Sequence, residues 1–436
     1  MQSTLETLGP LSRRLNVAVP LGDIEGEVGK RLARLAKTVK VAGFRPGHVP
    51  MKMVAQQYGP QVRSDVISDA VQKSFDDAVR EQNLRVAGFP RIEPAADAKD
   101  ATKLEFSAVF EVYPEFKVGD VSGATIERPQ VEVTEADIDR TLLVLRKQRA
   151  TYHPTTEGAQ DGDRVKVDFT GTIDGVEFAG GQAKDFPISL GENRMLPEFE
   201  AAVAGMKAGE EKTFPLTFPA EYHGKEVAGK AAQFALTVKE VERASIPELD
   251  GAFATAFGIK SGKIEDLRAE IASNLRLELK RKVESNLRDQ AMKVLRETTQ
   301  VPLPASLVEM ESRELARRMA GNLQQQGMKP EDIKLSPDMF KPQAEERVAL
   351  GLIVGELVRE QKLDARPDQV KAMVQEIAQT YEQPDAVVRW HYEKPERLSD
   401  FENMAVEHNV IEWVLAKAQV KDVPTSFEAL MGPARA

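Results

Sequence analysis

Between Ile264 and Leu287 the apolar residues Ile264, Leu267, Ile271, Leu275, Leu279, Val283 and Leu287 recur at spacings of three and four for more than six turns. Only an α-helix puts such a series on one face. At a rise of about 1.5 Å per residue it runs for about 35 Å, further than one small core reaches. The same texture continues to the end of the chain. Pro304 precedes Leu307, Met310, Leu315 and Met319, and Gly327 closes that stretch. Val348 to Val358 is almost wholly apolar, and 370–381 and 404–418 complete the set. Residues 247–436 therefore read as all-α, with long helices joined by Pro- and Gly-bearing connections.

Upstream the period changes. In 150–246, Val165, Val167 and Phe169 alternate with Arg164, Lys166 and Asp168, and Phe234, Leu236 and Val238 alternate again. Asp174-Gly175 is a hairpin-turn signal, and Pro197 to Val203 can form one short helix. This predicts an antiparallel sheet wrapped around a short helix. Residues 1–112 mix both periods. A strand is expected over 12–19 and a helix over 21–40, carried by Ile24, Val28, Leu32, Leu35 and Val39. A loop is fixed by Gly43, Pro46, Gly47 and Pro50. A helix over 62–79 follows, with Val66, Ile67, Ala70, Val71 and Phe75 on one side, and then a strand over 104–112. Residues 113–149 form a connection in which Thr134-Glu-Ala-Asp137 resembles a capping box opening a helix. The fold class is multidomain α+β: an N-terminal α+β domain, a small antiparallel sheet around a short helix, and an all-α C-terminal region with long helical arms.

Several kinds of chemistry find no support. With no cysteine, disulfides, thiolate metal sites and cysteine nucleophiles are excluded. The five histidines lack the close spacing of metal ligands. No zinc-protease, serine-elbow or phosphate-loop motif occurs, so neither cofactor nor metal is expected. The first ten residues show no basic and apolar leader and no apolar run reaches about 18 residues, so a cytoplasmic location and no membrane contact are expected. A net charge of −10 argues against bulk nucleic-acid binding.

One segment runs against that charge. Lys30, Arg31, Arg34, Lys37, Lys40, Arg45, Lys52 and Arg63 occur with no acidic residue between Lys30 and Arg63. Within it, Gly43-Phe-Arg-Pro-Gly-His-Val-Pro50 places Phe44 beside Arg45 on a Gly/Pro-clamped turn, an apolar cost unless the ring docks on something. A solvated helix face with an ordinary turn is the plain alternative. The octapeptide resembles the signature of the trigger-factor ribosome-binding domain. That resemblance implies that Gly43, Phe44, Arg45, Pro46 and Gly47 bind the large ribosomal subunit, touching a protein and ribosomal RNA beside the exit tunnel. Many members carry lysine where this chain has Pro46, which removes one charge.

A second resemblance covers nearly all of 150–246. Asp168-Phe-Thr-Gly171, Asp174-Gly175, Phe178, Phe186, Leu190-Gly191, Met195-Leu196, Phe199, Gly205 to Glu210, Tyr222 and Phe234 follow one another as in FKBP-type prolyl isomerase domains. It implies that Phe169, Phe178, Phe186, Met195, Leu196, Phe199, Tyr222 and Phe234 line a proline pocket, with Phe199 its floor and the Tyr222 hydroxyl reaching a substrate carbonyl. On spacing alone these aromatics read as core. Where drug-binding members carry tryptophan, tyrosine and aspartate, this chain has Phe199, Phe169 and Ala179, which weakens the case for macrolide binding more than for isomerisation. The chemistry fits the residues. The X–Pro amide barrier of about 18–20 kcal/mol comes from resonance, so an apolar box needs no nucleophile or base.

For 247–436 the family implies a cradle for nascent and unfolded polypeptides, with the connection packed along it and the isomerase inserted between two parts of one structure. Met310, Met319, Met328 and Met339 are suited to varied partners. The expectation is an ATP-independent chaperone with isomerase activity, a homodimer when free of the ribosome. A stand-alone prolyl isomerase, an RNA-binding protein using the basic loop, and an envelope chaperone are the rival readings.

Overall fold

The computed structural model describes residues 2–39, 44, 49–94, 102–191, 194–222, 224–379, 381 and 383–432. Along the chain, β1 (Gln2–Thr7), β2 (Ser12–Pro20), α1 (Leu21–Thr38), α2 (Met51–Glu81), β3 (Val86–Pro94) and β4 (Lys103–Val112) come first. Then follow β5 (Thr125–Gln130), α3 (Glu135–Gln148), β6 (Thr151–Pro154), β7 (Arg164–Ile173), β8 (Val176–Ser189), α4 (Pro197–Val203), β9 (Glu211–Thr217) and β10 (Ala231–Ser245). The remainder is α5 (Gly251–Ala256), α6 (Ile264–Thr298), α7 (Ala305–Gln325), α8 (Lys341–Gln361), α9 (Pro367–Ala378), α10 (Pro384–Tyr392), α11 (Ser399–Lys417), β11 (Gln419–Pro424) and α12 (Phe427–Met431). Two compact units result, 1–126 with 287–420 and 127–286 with 421–436. Both are discontinuous in sequence.

The first unit opens with an antiparallel sheet of order β1-β2-β4-β3. Leu15, Val17 and Val19 on β2 and Phe106, Ala108 and Phe110 on β4 alternate onto one buried face, as their period of two requires. Ile24, Val28 and Leu32 of α1 and Val54, Val62, Val66 and Phe75 of α2 cover that face. Phe75 meets Phe110 edge-on, 5.2 Å between centroids. Helix α2 begins at Met51, eleven residues before the expected start at 62, and runs through Pro60. Buried anchors on both sides of the proline, Val54 and Val62, offset a substitution that would break an isolated helix. The edge strands β1, mostly polar, and β3, interrupted by Gly88 and Pro90, carry no period that singles them out.

The helices of this unit hold three separate cores. Val121, Ile126, Ala291, Leu295, Ile353, Leu357, Val410 and Val414 form the largest. Val308, Leu315 and Ala344 form a second between α7 and α8, and Val370, Val374, Phe401 and Ala405 a third between α9 and α11. The segment 113–126 is pinned at Gly119, whose N–H donates to Thr299 Oγ1 at 2.9 Å. A Cβ there would lie 2.0 Å from the Thr298 carbonyl oxygen, so only glycine fits. The start of α7 is tied to the N-terminal sheet: Ser306 N–H donates to Glu111 Oε2 at 2.7 Å and its hydroxyl to the Ala87 carbonyl at 3.0 Å.

The second unit contains a five-stranded antiparallel sheet, β6-β10-β7-β8 with β9 on β10, wrapped on α4. Its other core joins α3, α5 and the first half of α6 through Ile138, Leu142, Phe253, Leu267, Ile271 and Leu275. The expected capping box is present. Thr134 N–H donates to Asp137 Oδ2 at 2.9 Å, and Asp137 N–H donates back to Thr134 Oγ1 at 3.4 Å. Among the described residues, no helix is long and apolar enough to cross a membrane.

Candidate functional site

Helix α4 starts at Pro197, and its seven residues send Phe199 into the sheet, where it is 2% exposed. Its ring lies 5.3 Å from Phe169, 5.5 Å from Phe214 and 5.7 Å from Phe234, all near edge-on. Phe234 lies 6.0 Å from Phe169 and 6.1 Å from Phe178. The expected residues thus converge, graded from floor to rim. Phe199 and Phe234 are buried, Phe169, Phe178, Met195, Leu196 and Tyr222 half-buried, and Phe186 is 38% exposed with its ring 5.8 Å from Phe169. Edge-to-face pairs of this kind each contribute about 0.5–1.5 kcal/mol beyond burial. Two members were not expected, Phe214 and Phe218. Phe218 packs 5.8 Å from Phe178 and 4.8 Å from Tyr222. The alternation of Phe214, Leu216 and Phe218 is the signal that marks them.

Irregular backbone aims the rim. The turn between β7 and β8 has Asp174 at φ 52° and Gly175 at φ 80°, the two left-handed residues of a tight hairpin. The β7–β8 ladder then shifts register twice, between Thr172 and Thr170 and between Phe169 and Val167. The extra residues on β8 surround Phe178 and precede Phe186. Gly171 makes room for this arrangement, since a Cβ there would sit 2.7 Å from Phe234 Cε1 and 3.1 Å from Phe178 Cε1. Glu200, beside the floor residue, accepts the N–H groups of Gly191 at 3.2 Å and Met195 at 3.3 Å, which places Met195 at the rim.

Charge is confined to the opposite face of β7. Lys166 Nζ donates to Glu240 at 2.7 Å and Arg164 Nε to Glu242 at 2.6 Å. The Arg164 hydrogen bond holds the Glu242 carboxyl below its ordinary range, and the Glu240 hydrogen bond raises the Lys166 ammonium. The pocket face is left to carbon. Such a box favours the twisted, less polar amide by stripping water from it.

At the other candidate site, α1 and α2 form a hairpin whose connection carries Phe44, 38% exposed. Gly43, Arg45, Pro46 and Gly47, like Lys40 and His48, lie outside the described residues. The basic run is less unopposed than the sequence window implies. Lys30 pairs with Glu27 at 3.6 Å, Arg31 with Asp69 at 2.6 Å and Arg63 with Glu25 at 2.5 Å. Glu27 lies one helical turn before the run, whereas Asp69 and Glu25 reach Arg31 and Arg63 from across the hairpin. Arg34, Lys37 and Lys52 are exposed.

In the helical part of the first unit, a cavity of about 660 Å³ lies along α7 and α8, lined by Tyr113, Leu307, Met310, Val348 and Leu352 with Glu311 and Glu314 at its side. Met310, Met319, Met328 and Met339 are all exposed. Among the described residues no cluster of three or more metal-ligating side chains occurs.

Comparison with known proteins covers the whole chain. Residues 1–145 match the family described as bacterial trigger factor protein (TF), and 263–416 match its C-terminus. Residues 155–239 match the FKBP-type peptidyl-prolyl cis-trans isomerase family. The trigger factor of Nitrosospira multiformis is 51% identical over 433 residues, 99% of this chain and 100% of that protein. That of Laribacter hongkongensis is 51% identical over 439 residues, with both chains fully covered. A solved structure of the trigger factor chaperone covers 95% of this chain and 99% of its own at 18% identity, with a TM-score of 0.45.

Proposed function

The chain belongs to the trigger factor family, and on that premise we propose how its parts divide the work. It is a ribosome-associated chaperone with a peptidyl-prolyl cis-trans isomerase domain. Phe169, Phe178, Met195, Leu196, Phe199, Tyr222 and Phe234 take the proline of a client, Phe199 beneath it, and Phe186 lines the same pocket at its rim, beside the residue that precedes the proline. Gly43 to Gly47 anchor the protein to a large-subunit protein and ribosomal RNA beside the exit tunnel. Residues 247–436, with the connection 113–149, shelter nascent chains without ATP. Residues 1–112 form the ribosome-binding domain and 150–246 the isomerase. The setting is the cytoplasm, and the free protein is a homodimer.

The observation that carries the isomerase reading is the single lattice of rings around Phe199, which opens outward through Phe169 to Phe186. A proline laid on that floor leaves the X–Pro amide against carbon rather than water. Each tenfold of rate asks for about 1.4 kcal/mol, which desolvation of one amide can supply. Replacing Phe199 with leucine keeps an apolar floor but removes its ring edges. Phe199→Leu is expected to lower kcat/KM for an X–Pro tetrapeptide about tenfold or more while the protein still folds. Unchanged peptide kinetics in a folded variant would move the pocket elsewhere.

A further inference from the structure

Phe186 reaches the pocket through a defect in the sheet. Along β7 and β8, Phe169 faces Ala183 and Val167 faces Phe186. Two steps back on β7 thus correspond to three steps on β8, so β8 carries one extra residue opposite Asp168. Without it Val167 would face Asp185, and Phe186 would stand beside Lys166 on the charged face. A slip of one residue sends a side chain to the other side of a sheet, and a bulge does so locally.

The bulge has two costs. Its extra peptide N–H finds no partner in the ladder, and Asp185 is held at φ 51°, in the left-handed region. That conformation costs an ordinary residue about 1–2 kcal/mol. Asp168 Oδ1 accepts the orphan Asp185 N–H at 2.8 Å. On the other flank of β7 a second bulge stands at the same level. Val238 faces Val167 and Glu240 faces Lys166, so Lys239 is supernumerary on β10. Its Nζ lies 3.1 Å from Asp168 Oδ2. The two oxygens of one carboxylate therefore hold two bulges, one on each neighbouring strand. The Asp185 N–H foremost, and Lys239 after it, keep the Asp168 carboxyl below its ordinary range.

We infer that Asp168 is a positioning residue of the isomerase: by fixing the β8 bulge it turns the Phe186 ring onto the proline-binding face, where that ring meets the side chain preceding proline. The inference rests on the pocket reading above. Phe186, exposed at the rim with one edge on Phe169, is placed for the neighbour of the proline rather than the proline itself. Asp168 therefore acts on substrate selectivity more than on the chemistry common to all X–Pro bonds.

The test uses the full chain and two tetrapeptides, with Phe or Ala before proline. Asp168→Ala is expected to lower kcat/KM about five- to tenfold on the Phe-Pro peptide and less than about twofold on Ala-Pro. Asp168→Asn, which keeps an oxygen for the Asp185 N–H, is expected to stay within about twofold of the wild type on both. Adding Asp168→Ala to Phe186→Ala should cost nothing further, because both act through one ring. Asp185→Gly should restore selectivity to Asp168→Ala, since glycine holds the left-handed turn unaided. That pair carries the same test if Asp168→Ala alone does not fold. Additive losses, equal losses on both peptides that follow a lowered melting temperature, or a silent Phe186→Ala would overturn the inference. Phe199→Leu in the same assay separates the two failures. If it is silent, the pocket reading itself falls; if it alone loses activity, the pocket stands and Asp168 has no part in it.

Discussion

In the sequence Phe199 follows Pro197 by two residues and Phe44 precedes Pro46 by two, yet the two rings relate to their surroundings in opposite ways. Phe199 is 2% exposed and its ring meets Phe169, Phe214 and Phe234, which are also the core of the sheet around it. Phe44 is 38% exposed at the end of a hairpin whose packing is done by others, Val28, Leu32, Val54 and Val62. On the proposed assignment, the atoms that meet a client in the isomerase are those that hold the domain together, whereas at the hairpin binding and folding rest on different residues. A site of the first kind is rigid and gives up activity and stability together. A site of the second kind can be emptied without the fold registering it.

The sharpest way to break this contrast is at the hairpin. Phe44→Ala with Arg45→Ala should weaken ribosome binding about 30-fold or more, as loss of an anchoring aromatic–arginine pair does, with no change in melting temperature or tetrapeptide isomerisation. Cosedimentation with ribosomes measures the first, and undiminished binding would remove the anchor from this loop. In the isomerase the expected result is the reverse. Gly171→Ala would drive a methyl to 2.7 Å from Phe234 Cε1 and 3.1 Å from Phe178 Cε1. Overpacking of that kind costs about 1–3 kcal/mol. Thermal unfolding and kcat/KM should fall together; a variant that loses one and keeps the other would show that pocket and core are separable after all.

The same contrast explains what could be read from the chain beforehand. Alternation in Val165, Val167 and Phe169 and in Phe234, Leu236 and Val238, and the three-four spacing from Ile264 to Leu287, report burial directly, and the elements fall where those periods put them. Thr134 and Asp137 gave away the start of α3 because a cap is local chemistry. What stayed illegible depends on partners distant in sequence. The acids that pair with Arg31 and Arg63, Asp69 and Glu25, lie across the hairpin and far away in sequence. The assignment of 287–420 to the unit of the N-terminal sheet depends on contacts such as Ser306 with Glu111. The two bulges in β8 break the period on which strand reading relies, so the positions of Phe178 and Phe186 followed from family resemblance and not from alternation. Phe214 and Phe218 did obey the period and were legible in principle.

The smallest effect tests a third arrangement, in which charge alone fixes a surface. On α7, the Glu314 carboxylate accepts from Arg317 Nε and Nη2, each at 2.8 Å, and from Arg318 Nε at 2.9 Å. These hydrogen bonds, Arg317 first, pull its carboxyl from the ordinary 4.5 down to about 2. The folded value is depressed, so whatever stability the triad supplies is complete above pH 4.5 and lost as the pH falls from there to about 2. All three groups face water, which screens the gain, so a shift in melting temperature small beside that of Gly171→Ala is expected. Glu314→Gln should therefore melt slightly below the wild type at neutral pH, by an amount that is flat down to pH 4.5 and disappears near pH 2. High salt should shrink the same difference. A difference that persisted at pH 2 or ignored salt would mean that Glu314 acts through packing, and α7 would then belong with the isomerase, where one set of atoms does both jobs, rather than with the hairpin.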